Sequence, residues 1–318
     1  MEGAELDLFD RGVRRATGSA SGAALDAALA DLGWRDAVAE DRRAAVSLLF
    51  ECQGAAQVTS SALSQLLAVG LGLDDHPATV LLPPLRTRHA PGRLLGNRCA
   101  VRGLATGALD RSKSVLVVAA VEHGHTAVAV PSTELSSRPV SGIDPMLGLL
   151  EVGGDVAVEG VQPGGSVDWA AAVALGQLAL GHELVGAARA MLELARAHAL
   201  ERIQFGRPVA TFQAVRHRLA DSLVAIEAAA ALLAAAWDDP SPVNAAIAKS
   251  SAGRSARSVA RHCQQVLAGI GFTTEHPFHR YYRRTMVLDQ LIGAGTELTA
   301  ELGAEVLRSR TLPPVLPL

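Results

Sequence analysis

The chain has 318 residues, 29 basic against 32 acidic side chains, and a formal net charge of −3 at pH 7. At 49% hydrophobic and 19% charged it is long and apolar enough to bury a sizeable core, which excludes a disordered chain. The mild negative charge and an aromatic content of 3% argue against nucleic acid or an anionic membrane surface as the main partner.

The opening residues, MEGAELDLFDRGVRR, are acidic at the start and carry no apolar run, so they do not read as a secretory signal. From about Gly22 to Leu73 apolar residues recur at helical spacing: Leu25, Leu29 and Leu32, then Val46, Leu49 and Phe50, then Leu63, Leu66 and Leu67. This predicts an N-terminal helical segment within residues 1–74. Over 75–165 the pattern changes. SVLVVAAVE, HTAVAVPS and GGDVAVEG are short β-branched runs between Gly, Pro and Ser clusters, which predicts a small β-domain closed by the linker VQPGGSVD.

From 166 to 318 helices return and are long. Trp169 to Arg202 is nearly unbroken, Phe212 to Trp237 follows Gly206-Arg207-Pro208, a third helix runs to about Leu267, and two more reach about Arg308. Long helices joined by short turns predict an antiparallel bundle. The expected fold class is therefore mainly α with a central β-domain, in the order helical, β, four-helix bundle. The most apolar stretches, AAAVALGQLALG and AAAALLAAAW, fall short of the ~20 residues that span a bilayer and read as buried bundle helices. Cys52, Cys99 and Cys263 are far apart, odd in number and form no CxxC pair, which predicts unpaired thiols in the cytoplasm.

The common catalytic signatures are missing: no GxxxxGKS/T, no HExxH and no GxSxG. Ten histidines are scattered without metal-ligand spacing, so no metal is expected. His276 and His279 flank Pro277 at a helix start and read as capping or surface groups. Two stretches carry more. In RIQFGRPVATFQAVRHRLAD, Arg202 ends a helix, Phe205-Gly206 forms a turn and Phe212-Gln213 opens the next helix. Taken alone, Arg202 is a cation well placed at a helix C-terminus and Phe205 a loop anchor in the core. The second stretch, CQQVLAGIGFTTEHPFHRYYRRTMVLDQLIGAGTELTAEL, places Gln265 and Gly269 four apart at a helix end.

Together these stretches resemble the C-terminal helical domain of the acyl-CoA dehydrogenases. The family pattern R-x-x-F-G then F-Q is met by Arg202, Phe205-Gly206 and Phe212-Gln213. The pattern Q-x-x-G-G-x-G-F with E-H/Y-P and an arginine pair is met by Gln265, Gly269, Gly271-Phe272, Glu275-His276-Pro277 and Arg283-Arg284, with Ala268 in place of a usual glycine. The N-terminal zone is similar more weakly, through LADLGW. The resemblance implies that Arg202, Phe205, Gln213, Gln265 and Gly269 reach across a subunit interface to the pyrophosphate and adenine end of a neighbour's FAD. The residue types suit that role: a guanidinium fork matches a pyrophosphate, and glycine lets backbone approach a ligand.

The family reaction needs a carboxylate to take an α-proton from an acyl-CoA thioester. Most members carry it in Y-E-G-T, and the matching residues here are Gly293-Ala294-Gly295-Thr296. Members that place the base on the first long helix would have it near Gly176, where the closest acids, Asp168 and Glu183, stand ~12 and ~10 Å away along the axis. Glu297, three residues after Ala294, is the one plausible substitute. The family's T-E-P-x-A-G-S-D and W-I-T-N strips, which line the flavin ring, have no counterpart between Leu81 and Leu109.

The resemblance thus implies a chain without a catalytic residue of its own: a subunit of a heteromeric, α2β2 acyl-CoA dehydrogenase, inactive alone, bracing the FAD of a base-containing partner chain. Two-gene dehydrogenases of this kind act in actinobacteria on CoA thioesters of steroid side chains and ring fragments. Two rivals stand beside it, a homomeric dehydrogenase with a displaced base and a flavin-free acyl-CoA-binding or assembly protein.

Overall fold

The computed structural model describes residues 3–73, 79–106, 109, 113–158 and 166–312. The N-terminal region holds α1 (Gly3–Ser19), α2 (Ala23–Asp31), α3 (Trp34–Glu40), α4 (Arg42–Ala56) and α5 (Ala62–Gly70). The breaks are written in the sequence: Gly22 and Gly33 sit at positive φ before α2 and α3, and the Asp41 carboxylate accepts from the Ala44 amide to cap α4. Along α4, Ala45, Val46, Leu49, Phe50, Cys52 and Gln53 are buried, the stripe expected of a helix with one core face.

The β-domain comprises β1 (Thr79–Val80), β2 (Gly92–Leu95), β3 (Arg98–Ala105), β4 (Ser114–Val121), β5 (Gly124–Pro131), β6 (Ser136–Pro139) and β7 (Leu150–Ala157). Strand β4 is its centre. β5 pairs along it antiparallel, while β1 and β2 pair with it in parallel, Val80 opposite Leu116 and Gly92 opposite Ala119. From β2 the sheet continues through β3 and β7 to β6. Val115, Val117 and Ala119 face a β-domain core with Cys99, Val101, Val128 and Val156. Leu116 and Val118 face the other way, into the main core of the molecule. Because both faces are buried, β4 reads as a continuous apolar run and not as an alternation.

The C-terminal region has α6 (Trp169–Glu201), a tight hairpin of β8 (Ile203–Gln204) and β9 (Arg207–Pro208), α7 (Gln213–Asp238), α8 (Pro242–Leu267), α9 (Phe278–Leu288) and α10 (Gly295–Ser309). Asp168 caps α6 through the Ala171 amide, and Ser241 caps α8 through Asn244 with Pro242 in the first turn. Pairs between α6 and α7 run in opposite order, His182 to Trp237 and Arg189 to Glu227, so the two helices are antiparallel. The three-residue connection from α7 to α8, with Ser222 beside His262, makes that pair antiparallel too.

One expectation is corrected. The two apolar stretches lie in helices of 33 and 26 residues, α6 and α7, both long and apolar enough to cross a membrane by length and composition. For α6 the apolar window is 89% buried inside the protein, so it is a core helix; the window of α7 is only 28% buried. The outer face of α7 presents Leu223 and Val224 with Ala220, Ala228 and Ala231 to solvent.

Helix α6 lies against α4 at backbone distance. A Cβ on Gly54 would collide with the Glu183 carbonyl oxygen, and one on Gly186 with the Glu51 carbonyl oxygen. Neither obstacle is a side chain that can swing aside. Gly186→Ala should therefore force α4 and α6 apart and destabilise the fold by at least about 2–3 kcal/mol, measured by urea unfolding. An unchanged midpoint would show that the contact is loose.

Candidate functional site

Two places bear on the expected chemistry. The first is the turn between α9 and α10. Ile292 and Gly293 are both at positive φ, a conformation that a β-branched residue rarely adopts. The turn is held from below. Lys249, fully buried on α8, donates through Nζ to the carbonyls of Asp289 (2.8 Å) and Gly293, and Arg257 pairs with the Asp289 carboxylate. Burial pulls the Lys249 ammonium down to about 8 despite the nearby Asp289 charge. Gln177 donates from Nε2 to the Ile292 carbonyl (3.0 Å).

Ala294 is fully buried at the start of α10 and offers nothing but a methyl group. The alternative position is filled as well. A Cβ on Gly176 would lie 2.7 Å from Ile292 Cδ1 and 3.1 Å from Leu67 Cδ2, so no carboxylate side chain fits there without repacking. Glu297 does not face this interior. One carboxylate oxygen accepts from Thr296 Oγ1 (2.7 Å) and the other from Arg86, and Arg88 pairs with Glu301 one turn further along α10 (2.7 Å). Thr296 and then Arg86 hold the Glu297 carboxyl below its ordinary range, which makes it a weaker base. Glu183 lies on α6, two turns beyond Gly176, and is buried inside the protein.

The second place is the end of the bundle where α6 stops, α7 starts and α8 stops. The antiparallel order brings Arg202, Gln213, Gln265 and Gly269 to this end, together with the β8–β9 hairpin. All four are exposed. Phe205, expected as a core anchor if read alone, is instead 91% exposed at the hairpin tip with φ 55°. It meets Phe212 edge-on at 6.0 Å, and the Arg207 guanidinium stacks 4.5 Å over the Phe212 ring. Among the described residues, the Arg202 and Arg207 guanidiniums make no ion pair, and the Gln213 and Gln265 amides make no side-chain hydrogen bond. A guanidinium without a carboxylate, free amides and open aromatic surface form a donor set suited to a dinucleotide. Ala268, standing where the pattern has glycine, adopts φ 53°, ψ −134°. His276 Nδ1 accepts from the Phe278 amide, and His279 Nδ1 donates to the His276 carbonyl, so both are capping groups.

A third cluster was not visible in the sequence. Ser47, His182 and Glu51 are joined in the order of a Ser–His–acid triad: Ser47 Oγ is 3.0 Å from His182 Nε2, and His182 Nδ1 is 3.0 Å from Glu51 Oε1. Ser47 and Glu51 also line an open groove of about 840 Å³ between α1 and α4. The Trp237 indole, which can only donate, points at the same Nε2 (3.1 Å) and occupies the lone pair a base needs. Ser47 sits mid-helix, where neighbouring amides are used within α4 and cannot stabilise an oxyanion. The cluster is a joint tying α4, α6 and α7. Among the described residues no group of histidine, cysteine and acidic side chains forms a metal site, and the three cysteines are buried and unpaired.

Residues 169–306 match the family of acyl-CoA dehydrogenase C-terminal domains. Acyl-CoA dehydrogenase IpdE2 of Mycobacterium tuberculosis is 36% identical over 177 residues, covering 56% of this chain and 54% of that protein. The chain thus spans about half the length of this curated relative. Among solved structures, a Tcur3481-Tcur3483 steroid ACAD variant shares the fold with a TM-score of 0.75 at 21% identity, over 96% of this chain and 99% of that one. The ChsE4-ChsE5 complex from Mycobacterium tuberculosis gives 0.74 at 20% identity, over 98% and 99%. Butyryl-CoA dehydrogenase from Megasphaera elsdenii gives 0.75 at 18%, over 97% and 99%.

The Ala268 backbone yields a test of this end of the bundle. A side chain at this φ and ψ costs on the order of 1–3 kcal/mol, against about 0.5–1 kcal/mol for the extra chain entropy of glycine. Ala268→Gly should therefore raise stability by about 1 kcal/mol, read from thermal unfolding. A loss of stability would mean that the strain is not there.

Proposed function

From a chain that has the acyl-CoA dehydrogenase fold and carries that family's C-terminal domain over residues 169–306, we propose a non-catalytic subunit of a heteromeric, FAD-dependent acyl-CoA dehydrogenase. One observation carries the reading. The interior where a base would stand is closed by Ile292, Leu67 and a fully buried Ala294, while Arg202, Gln213 and Gln265 at the bundle end are exposed and make no side-chain hydrogen bond or ion pair among the described residues. A chain that has lost its inward chemistry and keeps an outward donor set serves a site assembled with another polypeptide.

In this reading Arg202 faces the pyrophosphate of the partner's FAD. Gln213 and Gln265 serve its adenosine end, Phe205 covers it, and Gly269 lets the backbone come close. The bound flavin supplies the hydride acceptor for α,β-dehydrogenation. This chain moves no proton in that reaction; a carboxylate of the partner does. The exposed apolar face of α7 supports burial against helices of the partner in an α2β2 assembly. A steroid-derived CoA thioester is the proposed substrate class, since relatives of this fold include a steroid ACAD and a two-component complex. A cytoplasmic location agrees with three unpaired, buried thiols.

The homomeric alternative rests on Glu297, which Thr296 and Arg86 hold ionised on the surface. Arg202→Ala in the complex should weaken FAD retention about ten- to a hundredfold, since charge-assisted hydrogen bonds contribute about 1.5–3 kcal/mol and each decade is about 1.4 kcal/mol. Arg202→Lys should recover little, because a point charge does not reproduce the fork. Turnover at saturating FAD should largely return in both variants. Flavin affinity is read by dissociation against free FAD, and an unaltered value would reduce Arg202 to a helix-end charge.

A further inference from the structure

Helix α8 is one-sided in charge. Its 26 residues, Pro242–Leu267, include Lys249, Arg254, Arg257 and Arg261 and no aspartate or glutamate. Lys249 and Arg257 are used at the α9–α10 turn, on backbone carbonyls and on the Asp289 carboxylate. Arg254 and Arg261 are exposed, and among the described residues neither makes an ion pair or a side-chain hydrogen bond. The acids of the neighbouring helices are engaged elsewhere. On α10, Glu297, Glu301 and Glu305 pair with Arg86, Arg88 and Arg308; on α7, Glu227 and Asp238 pair with Arg189 and Arg43. Asp221 on α7 is exposed and, among the described residues, pairs with neither arginine.

Helix geometry gives these two arginines a common direction with Gln265. At about 100° per residue, Arg254, Arg261 and Gln265 fall within about 40° of one another around the α8 axis. One row therefore runs back along α8 from Gln265 at the bundle end, with Arg261 about 6 Å away and Arg254 about 10 Å further. Ser250 and Ser258 lie one turn to either side of Arg254 in the same row, and their small side chains leave the guanidinium accessible. Gln265 is a residue that serves the partner's FAD in the reading above, so a polypeptide that meets Gln265 continues along α8 past both arginines. A second copy of this chain does not fit there. Two-fold pairing brings a surface against itself and would set arginine row against arginine row.

We infer that the Arg254–Arg261 row of α8 docks a helix of the partner chain that carries two carboxylates about two turns apart, and that it selects a different polypeptide over a second copy of this one. The inference rests on the subunit reading and names the chemistry of the partner that this reading requires. A guanidinium fork matches a carboxylate in two parallel hydrogen bonds, and carboxylates seven residues apart on a helix laid along α8 repeat at the spacing of the two arginines. The exposed apolar residues of α7, Leu223 and Val224, offer burial that does not distinguish one apolar helix from another. The charged row does distinguish them, by attraction to an acidic face and repulsion of a basic one.

The test uses the full chain co-expressed with a base-containing acyl-CoA dehydrogenase polypeptide. In that complex Arg254→Lys and Arg261→Lys are each treated with a carbodiimide, which joins an amine directly to a carboxylate in contact with it. Mass spectrometry should find cross-links to two acids on one helix of the partner. Arg254→Glu together with Arg261→Glu should weaken association at least about a hundredfold by sedimentation, because repulsion replaces attraction. Both positions are exposed, so thermal unfolding of the chain itself should not change. Lysine in place of the two cross-linked acids should restore association with the reversed chain. Association of the unmutated pair should weaken as salt rises, and that of the reversed chain with the unmutated partner should not. Cross-links that run to a second copy of this chain, or a doubly reversed chain that associates as tightly as the unmutated one, overturn the docking row and leave the subunit reading standing. An unmutated chain that forms no complex with such a polypeptide overturns both.

Discussion

The backbone contact between α4 and α6 sets the spacing of the helical body. Helix α6 is the hub: α4, α5, α7, α8 and α9 all pack on it. Its glycines let these neighbours approach at different heights, α4 at Gly186 and α7 at Gly181. Close approach leaves little freedom for what lies between. His182 meets Ser47 and Trp237 where α4, α6 and α7 come together. A tightly packed interior of this kind transmits a change in volume or charge and does not absorb it.

The same packing leaves no room for a carboxylate at the Gly176 position. The α9–α10 turn is held by Lys249, Arg257 and Gln177 with two residues at positive φ, a large investment in one conformation. That scaffold now presents a buried methyl group. At the bundle end, Arg202, Gln213 and Gln265 are exposed at the ends of long helices.

Much of this was legible in the sequence. Long helices with capping residues, Asp168 before α6 and Ser241-Pro242 before α8, announce their own ends, and β4, β5 and β7 stand out as β-branched runs. The strand β3 did not, because Arg98 and Arg102 alternate with Cys99 and Val101, and seven residues of the eight are neither β-branched nor aromatic. Two-residue β1 and the fully exposed β6 carry no periodic signal. Helix α1 was hidden by its many charged residues, although Phe9, Val13 and Ala16 fall on one face. Motif order singled out Arg202, Gln213 and Gln265, which the fold brings to one end of the bundle, and the alanine at position 294. The exposure of Phe205, the support from Lys249 and the buried Arg284–Asp144 pair were not. Each depends on contacts or solvent exposure that only the tertiary fold determines, such as Arg284 to Asp144 across 140 positions. The Ala268 substitution was visible, but its φ was not.

The central claim is that this chain contributes to a flavin site without owning one. Bound flavin and acyl-CoA oxidation should be measured for the chain alone and for the chain co-expressed with a base-containing acyl-CoA dehydrogenase polypeptide. The account predicts no stoichiometric FAD and no turnover alone, and both in the complex. A chain that binds FAD stoichiometrically by itself and oxidises an acyl-CoA would contradict it.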